Sequence, residues 1–162
     1  MIRLIIDKYG DAHNNLFLKI DGMPSVVKIA DSYFLYDFLE ISDKEIEKLN
    51  LKEGEIIKYA ALELIKYWKE KIKSIQRGDK KFIPFDLSDE YIGGLLLEKI
   101  KLGFKIKTVF TDEIQGYSIS KSYLDNLLDE HNVKLIEDSN EWLIGEDTLY
   151  KGLEWSEQEI IK

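Results

Sequence analysis

Glu55-Ile56-Ile57-Lys58-Tyr59-Ala60-Ala61-Leu62-Glu63-Leu64-Ile65-Lys66-Tyr67-Trp68-Lys69-Glu70-Lys71-Ile72-Lys73-Ser74-Ile75-Gln76 is the stretch that decides the fold class. Ile57, Ala61, Leu64, Trp68, Ile72 and Ile75 follow one another at intervals of three or four residues. That spacing returns to one side of an α-helix, so it predicts an amphipathic helix over residues 55–76. Lys66, Lys69, Glu70 and Lys73 fall elsewhere on its circumference. Gly78 is the expected helix stop, because glycine enters the left-handed conformation that ends helices without steric cost. Upstream, Ser42-Asp43-Lys44-Glu45 places Ser and Glu three apart, a capping box that should open a short helix to about Asn50.

Sequence on either side of the long helix has the texture of strands. Residues 2–7 and 15–20 are rich in Ile, Leu and Phe, and the Gly10-Asp11 region could join them as a hairpin. Asp21-Gly22-Met23-Pro24 is a second turn signal. The aromatic stretch from Tyr33 to Phe38 fits a strand or a buried helical turn. Residues 82–87 read as extended, and Pro84, which has no N–H to donate, belongs at a sheet edge or strand start. Residues 95–101 and 105–110 form an expected hairpin around Gly103. A three-residue loop at Leu102-Gly103-Phe104 pairs Ile100 with Ile106 and Leu96 with Phe110. It gathers Lys99, Lys101, Lys105 and Lys107 on the other face, and it respects the alternation better than a two-residue loop at Leu102-Gly103. Residues 114–119 are a further expected strand. Ser120 should cap a helix to about Glu130, with Leu124, Leu127 and Leu128 inward. Residues 133–137 and 141–144 read as two strands around Asp138-Ser139-Asn140, and Ser156-Glu157-Gln158-Glu159 as the cap of a short helical tail. The sum is an α+β fold: a mostly antiparallel sheet with one long helix packed on it and shorter helices. With two prolines and no Ser/Gly-rich linker or repeat, residues 1–162 are read as a single domain.

Composition narrows the function classes. The chain has 162 residues, 44% of them hydrophobic and 12% aromatic, enough to supply a core. It has no cysteine, which excludes disulfides, thiolate metal sites and thiol catalysis. No apolar run approaches a membrane span, and the N-terminal Ile/Leu run is cut off by Asp7 and Lys8, so a cytoplasmic location is expected. The two histidines, His13 and His131, are too few for a histidine-built metal site. Asp11 with His13 in a polar turn, and His131 after Glu130 at a helix end, both have ordinary surface explanations. Gly93-Gly94 lacks the spacing of a phosphate loop and signals a bulge or close backbone approach. No nucleophile elbow or His-Glu-x-x-His is present, and paired carboxylates such as Asp89-Glu90 and Asp112-Glu113 are expected by chance in a chain with 31 acids. The reading is therefore a non-enzyme with no catalytic residue, metal or cofactor.

The charge is uneven. Residues 1–120 carry 20 acids against 19 bases, and residues 121–162 carry 11 against 4, so −7 of the net −8 lies in the last part of the chain. Such a segment repels phosphates, so nucleic acid is not an expected partner. A solvated acidic face is one explanation, and a surface for a basic protein is the other. The second makes Glu137, Asp138, Glu141, Glu146 and Asp147 candidate partner-binding acids, with Trp142 or Trp155 as the aromatic anchor. Trp142 alternates within an expected strand and has a core reading too. The lysines Lys99, Lys101, Lys105 and Lys107 are a candidate anion or partner face, against a reading as a solvated face that resists edge aggregation.

Phe82-Ile83-Pro84-Phe85-Asp86-Leu87-Ser88-Asp89-Glu90-Tyr91-Ile92-Gly93-Gly94, followed by a lysine-rich hairpin, resembles immunity proteins of bacterial polymorphic toxin systems. The resemblance rests on this one segment together with size, acidity and the lack of cysteine. It implies a small, cytoplasmic, non-enzymatic protein that binds and neutralises a cognate toxin; many such toxins are nucleases with basic clefts, which an acidic patch would attract. It carries over no individual residue roles. Two further classes compete: a regulatory or structural interaction module, homodimeric through a sheet edge, and a carboxylate-based enzyme. A binding protein predicts a large acidic surface without a deep polar pocket. A module predicts a self-complementary apolar patch. An enzyme predicts a concave site with two convergent acids of raised pKa.

Overall fold

Residues 2–6 and 16–20 alternate buried and less buried side chains, as strands with one face on a core do. In the computed structural model, which describes residues 1–7, 13, 15–130 and 132–162, they are β1 (Ile2–Ile6) and β2 (Leu16–Ile20). They pair antiparallel with Ile2 opposite Ile20. The Gly10-Asp11 turn and His131 lie outside the described residues. After the Asp21–Pro24 turn, β3 (Val26–Ala30) pairs with β2 and completes a three-stranded antiparallel sheet in the order β1-β2-β3. Sequence patterning did not mark β3, because three of its five residues are exposed and no alternation shows.

Tyr33 to Phe38 takes the helical alternative as the short α1 (Leu35–Phe38). Helix α2 (Asp43–Leu49) begins at the expected N-cap, Glu45 N–H donating to Ser42 Oγ at 3.3 Å, but the Glu45 carboxylate accepts from the Tyr59 hydroxyl instead of closing the capping box. The long helix α3 runs Glu53–Ser74, and all six residues of the predicted face are buried. Its end differs from expectation. The chain turns extended at Ile75, and Gly78, at φ +93°, serves the following turn instead, where its N–H donates to Lys99 O.

Strands β4 (Lys80–Leu87), β5 (Ile92–Ile100), β6 (Gly103–Thr111) and β7 (Ile136–Ile144) form a second antiparallel sheet in sequence order. Pro84 sits on the edge strand β4, as its missing N–H demands. Gly94 is explained by close approach: a Cβ there would lie 2.1 Å from Ile83 O. The β5–β6 register corrects the sequence reading. Ile100 faces Gly103, Leu97 faces Ile106 and Lys99 faces Phe104, around a two-residue turn at Lys101-Leu102. Gly103, at φ +147°, takes a backbone shape that side chains rarely adopt. This register buries Leu95, Leu97, Phe104 and Ile106 on one face.

Three other expectations change. Residues 114–119 form a loop with a 3-10 turn at Gly116–Ser118, since a side chain at 116 would strike Ser88 O and the backbone of Leu87. The Asp138-Ser139-Asn140 signal is absorbed within one strand. Lys107 faces Glu141 and Val109 faces Glu137, so three residues of β7 bulge opposite Thr108. Helix α4 (Leu124–Glu130) precedes it, with Leu124 buried. The C-terminal helix α5 (Glu146–Ile161) starts ten residues before the expected Ser156 cap. Ser156 is buried inside it, where its Oγ accepts from Leu4 N–H at 2.8 Å and donates to Gly152 O.

These contacts decide which strand edges are closed. The β1 edge is covered by α5 through Ser156, and Gly152 lets the helix approach Ile2 O where a Cβ would not fit. The β4 edge is covered by α3: Trp68 Nε1 donates to Pro84 O at 2.9 Å and Lys71 Nζ to Phe82 O at 3.3 Å. No strand or helix pairs with the outer edges of β3 and β7 among the described residues. One hydrophobic cluster joins both sheets with α1, α3 and α5.

Candidate partner-binding surface and cleft

The lysines and acids singled out in the sequence meet one another. β7 lies beside β6, which brings Glu137 to 2.6 Å from Lys107 and Glu141 to 3.7 Å from both Lys105 and Lys107. Glu146 pairs with Lys99, and Asp138 accepts from Lys28 at 3.2 Å and from Thr108 Oγ1 at 3.1 Å. The Lys107 ammonium holds the Glu137 carboxyl below its ordinary value, and the Lys28 ammonium does the same for Asp138. Of the five candidate acids, Asp147 alone makes no ion pair among the described residues.

The four lysines do not share a face. Lys105 and Lys107 point to one side of the sheet, Lys101 is in the turn, and Lys99 is on the other side with its Nζ 4.4 Å from the Phe104 ring centre. The expected lysine face is thus divided by the register. Trp142 is 3% exposed, its Nε1 donating to Pro24 O at 2.8 Å, so its ring is not offered to a partner. Trp155 is half-buried under the Arg3 guanidinium, 4.9 Å from the ring centre.

One exposed apolar surface lies on the β1-β2-β3 sheet, and on the second sheet Leu143 and Ile136 of β7 are exposed as well. Strand alternation sends Ile5, Phe17 and Ile29 to the face away from the core, and the register lines them up as one cross-strand row. Ile5 and Phe17 are half-buried. Exposure rises towards the open edge, to 54% at Ile29 and 57% at Val27. In the antiparallel ladder the Asp7 N–H to Asn15 O bond ties the odd-numbered residues of β2 to β1, leaving the even ones for β3. The backbone groups of Val27 and Ile29 therefore point outward from β3. Beyond the strand, Tyr33, also 54% exposed, stacks on His13 at 4.9 Å and meets Phe34 edge-on at 5.0 Å. Phe34 in turn meets the exposed Tyr117 at 5.9 Å. The sequence reading missed this surface entirely. Its only signal was the exposed Val-Val-Lys-Ile run, which did not alternate.

Beneath β3, between the two sheets, is a cleft of about 660 Å³. Leu18, Phe85 and Val109 give it apolar walls, and Lys28, Asp86, Tyr91, Thr108 and Asp138 contribute polar groups. Asp86 Oδ1 accepts Asp31 N–H at 2.7 Å and Oδ2 accepts the Tyr91 hydroxyl at 2.9 Å. Burial raises the Asp86 pKa, and these two bonds only partly oppose it. Tyr91 is pushed up to about 12, first by burial and then by Asp86, so it remains a donor at neutral pH.

No group of three or more His, Asp or Glu among the described residues is arranged to hold a metal ion, and no described helix is long and apolar enough to cross a membrane. Asp11, half of the turn pair weighed with His13, is outside the described residues, and His13 Nδ1 lies 3.3 Å from Asp31 Oδ1. No family model matches the chain, and no curated protein or solved structure is significantly similar to it.

Proposed function

We propose that the chain is a non-enzymatic protein-binding domain of the immunity type, which neutralises a cognate toxin by covering it. The observation that carries this reading is the open β3 edge with Val27 and Ile29 exposed beside Tyr33 and Tyr117. An uncovered edge with apolar side chains is a liability that proteins normally blunt. Here the other edge of the same sheet is closed by α5, whereas among the described residues no strand or helix pairs with β3 along Val27 and Ile29, and only the chain just past it is tied to β4 by Leu87 N–H to Asp31 O. Tyrosines concentrate at the centres of protein interfaces, and an open strand can accept a partner strand through its backbone.

The contact surface differs from the one the charge pattern suggested. Acids already answered by lysines have little left to offer a basic partner, because their field is largely cancelled at short range. Asp147, and Glu154 on the same helix, remain as exposed charge that can steer association. The resemblance of the Phe82–Gly94 segment to immunity proteins supplies the class of partner, a toxin domain acting in the same cell.

Co-expression tests it. The polypeptide encoded immediately upstream of this chain should be toxic alone. Wild type should restore growth, and the Val27→Lys/Ile29→Lys double variant should not. Rescue by neither, or equal rescue by both, would contradict the reading. A second reading, a homodimer through β3, is favoured by the same edge. Sedimentation of the isolated chain separates them, since a dimer lost in the double variant would support self-association.

A further inference from the structure

We propose that the cleft beneath β3 receives an arginine side chain of the protein partner, its guanidinium lying over Gly93 between the Asp86 carboxylate and the Phe110 ring. Asp86, Gly93 and Phe110 are directly opposite one another on β4, β5 and β6 and so share one face of the sheet. Asp86 and Phe110 are two strand spacings apart, about 10 Å. Between them Gly93 has no side chain, and a Cβ there would lie 3.3 Å from Asp86 Cβ. The row is therefore a recess with a carboxylate at one end and an aromatic ring at the other, and Tyr91 borders it along one side, its hydroxyl donating to Asp86 Oδ2 and its ring meeting Phe110 edge-on at 6.4 Å.

Charge selects the occupant. Glu137 and Asp138 at the cleft wall already pair with Lys107 and Lys28. Asp86 makes no ion pair among the described residues, although its side chain is half-buried, and the Lys28 ammonium acts on it only at longer range. An ionised carboxylate in such a place is costly unless a cation meets it. The Asp31 N–H and the Tyr91 hydroxyl occupy one acceptor position on each Asp86 oxygen, which leaves further lone pairs for a cation. Among cations, guanidinium fits best. It is planar, it donates to a carboxylate edge-on, and it stacks on aromatic faces, whereas an ammonium is a strongly hydrated point charge. The volume suits a side chain with its flanking residues.

This inference rests on the partner being a protein, but its test needs no partner. The intact ¹⁵N-labelled chain is titrated with N-acetyl-arginine methylamide and, separately, with the neutral citrulline analogue. The expected result is saturable shifts of the Tyr91, Gly93 and Gly94 amides with the arginine probe. Citrulline should bind about tenfold more weakly. Phe110→Ala, at a half-exposed position that leaves the core intact, should weaken the arginine probe severalfold, and Asp86→Asn should abolish its binding. Equal shifts from both probes, or none at these amides, would overturn the inference. If the cleft ignores arginine while Val27→Lys/Ile29→Lys still destroys rescue, the cleft assignment fails and the binding role stands.

Discussion

Asp86 concentrates the tension between folding and binding at the scale of single residues. Its carboxyl is raised by burial, so the folded state holds the proton more tightly than the unfolded chain does. Ionised Asp86 therefore subtracts from stability at neutral pH. As pH falls through its folded pKa towards its unfolded one, that loss is recovered. Asp86→Asn cannot titrate, so the stability of wild type relative to this variant should rise as the pH falls through the raised folded pKa of Asp86 and level off below its ordinary carboxyl value. Urea denaturation at several pH values checks it, and a difference that stays flat would refute it. Gly94 makes a purely steric prediction. Gly94→Ala forces a methyl group into Ile83 O, and β4 and β5 must separate. A loss of roughly 1–3 kcal/mol or more is expected in the same experiment. Gly93→Ala meets only a 3.3 Å contact and should cost less.

Individual elements show what the sequence could and could not reveal. The α3 helix was legible because its apolar spacing and its environment agree: every predicted core residue is buried. The α2 cap was legible because Ser42 and Glu45 interact locally. Pro84 and Gly93-Gly94 were legible because a missing N–H or a missing side chain has few structural uses. β3 was not, since exposure removes the alternation that betrays a strand. Nor was the β5–β6 register, which is set by burial of Leu97 and Ile106 against the rest of the molecule rather than by the hairpin itself. The acidic segment misled for a related reason. Residues 121–162 are acidic along the chain, but folding lays β7 beside the lysines of β6, so charge that is segregated in sequence is mixed in space. α5 was misplaced because Ser156 mimics a cap while serving as a bridge to β1. Ser156→Ala should leave Leu4 N–H buried without a partner and cost about 1–3 kcal/mol. The exposed Ser139→Ala should change stability by no more than about 0.5 kcal/mol. Thermal unfolding of the two variants compares them directly.

For the whole molecule, the asymmetry of its edges is the feature that matters. Helices α3 and α5 seal one edge of each sheet, and the unsealed β3 borders both the apolar row of Ile5, Phe17 and Ile29 and the cleft that holds Asp86. A partner strand added to β3 would cover Val27 and Ile29 and bring its neighbouring side chains to the cleft mouth. The surface acids make a smaller contribution, because four of the five candidates are paired within the chain. The most direct test is calorimetric titration of the upstream-encoded polypeptide, in a catalytically inactivated form, with wild type and with Val27→Lys/Ile29→Lys. A loss of affinity of about a hundredfold or more is expected, with the melting temperature unchanged. Equal affinity for the two proteins would contradict it.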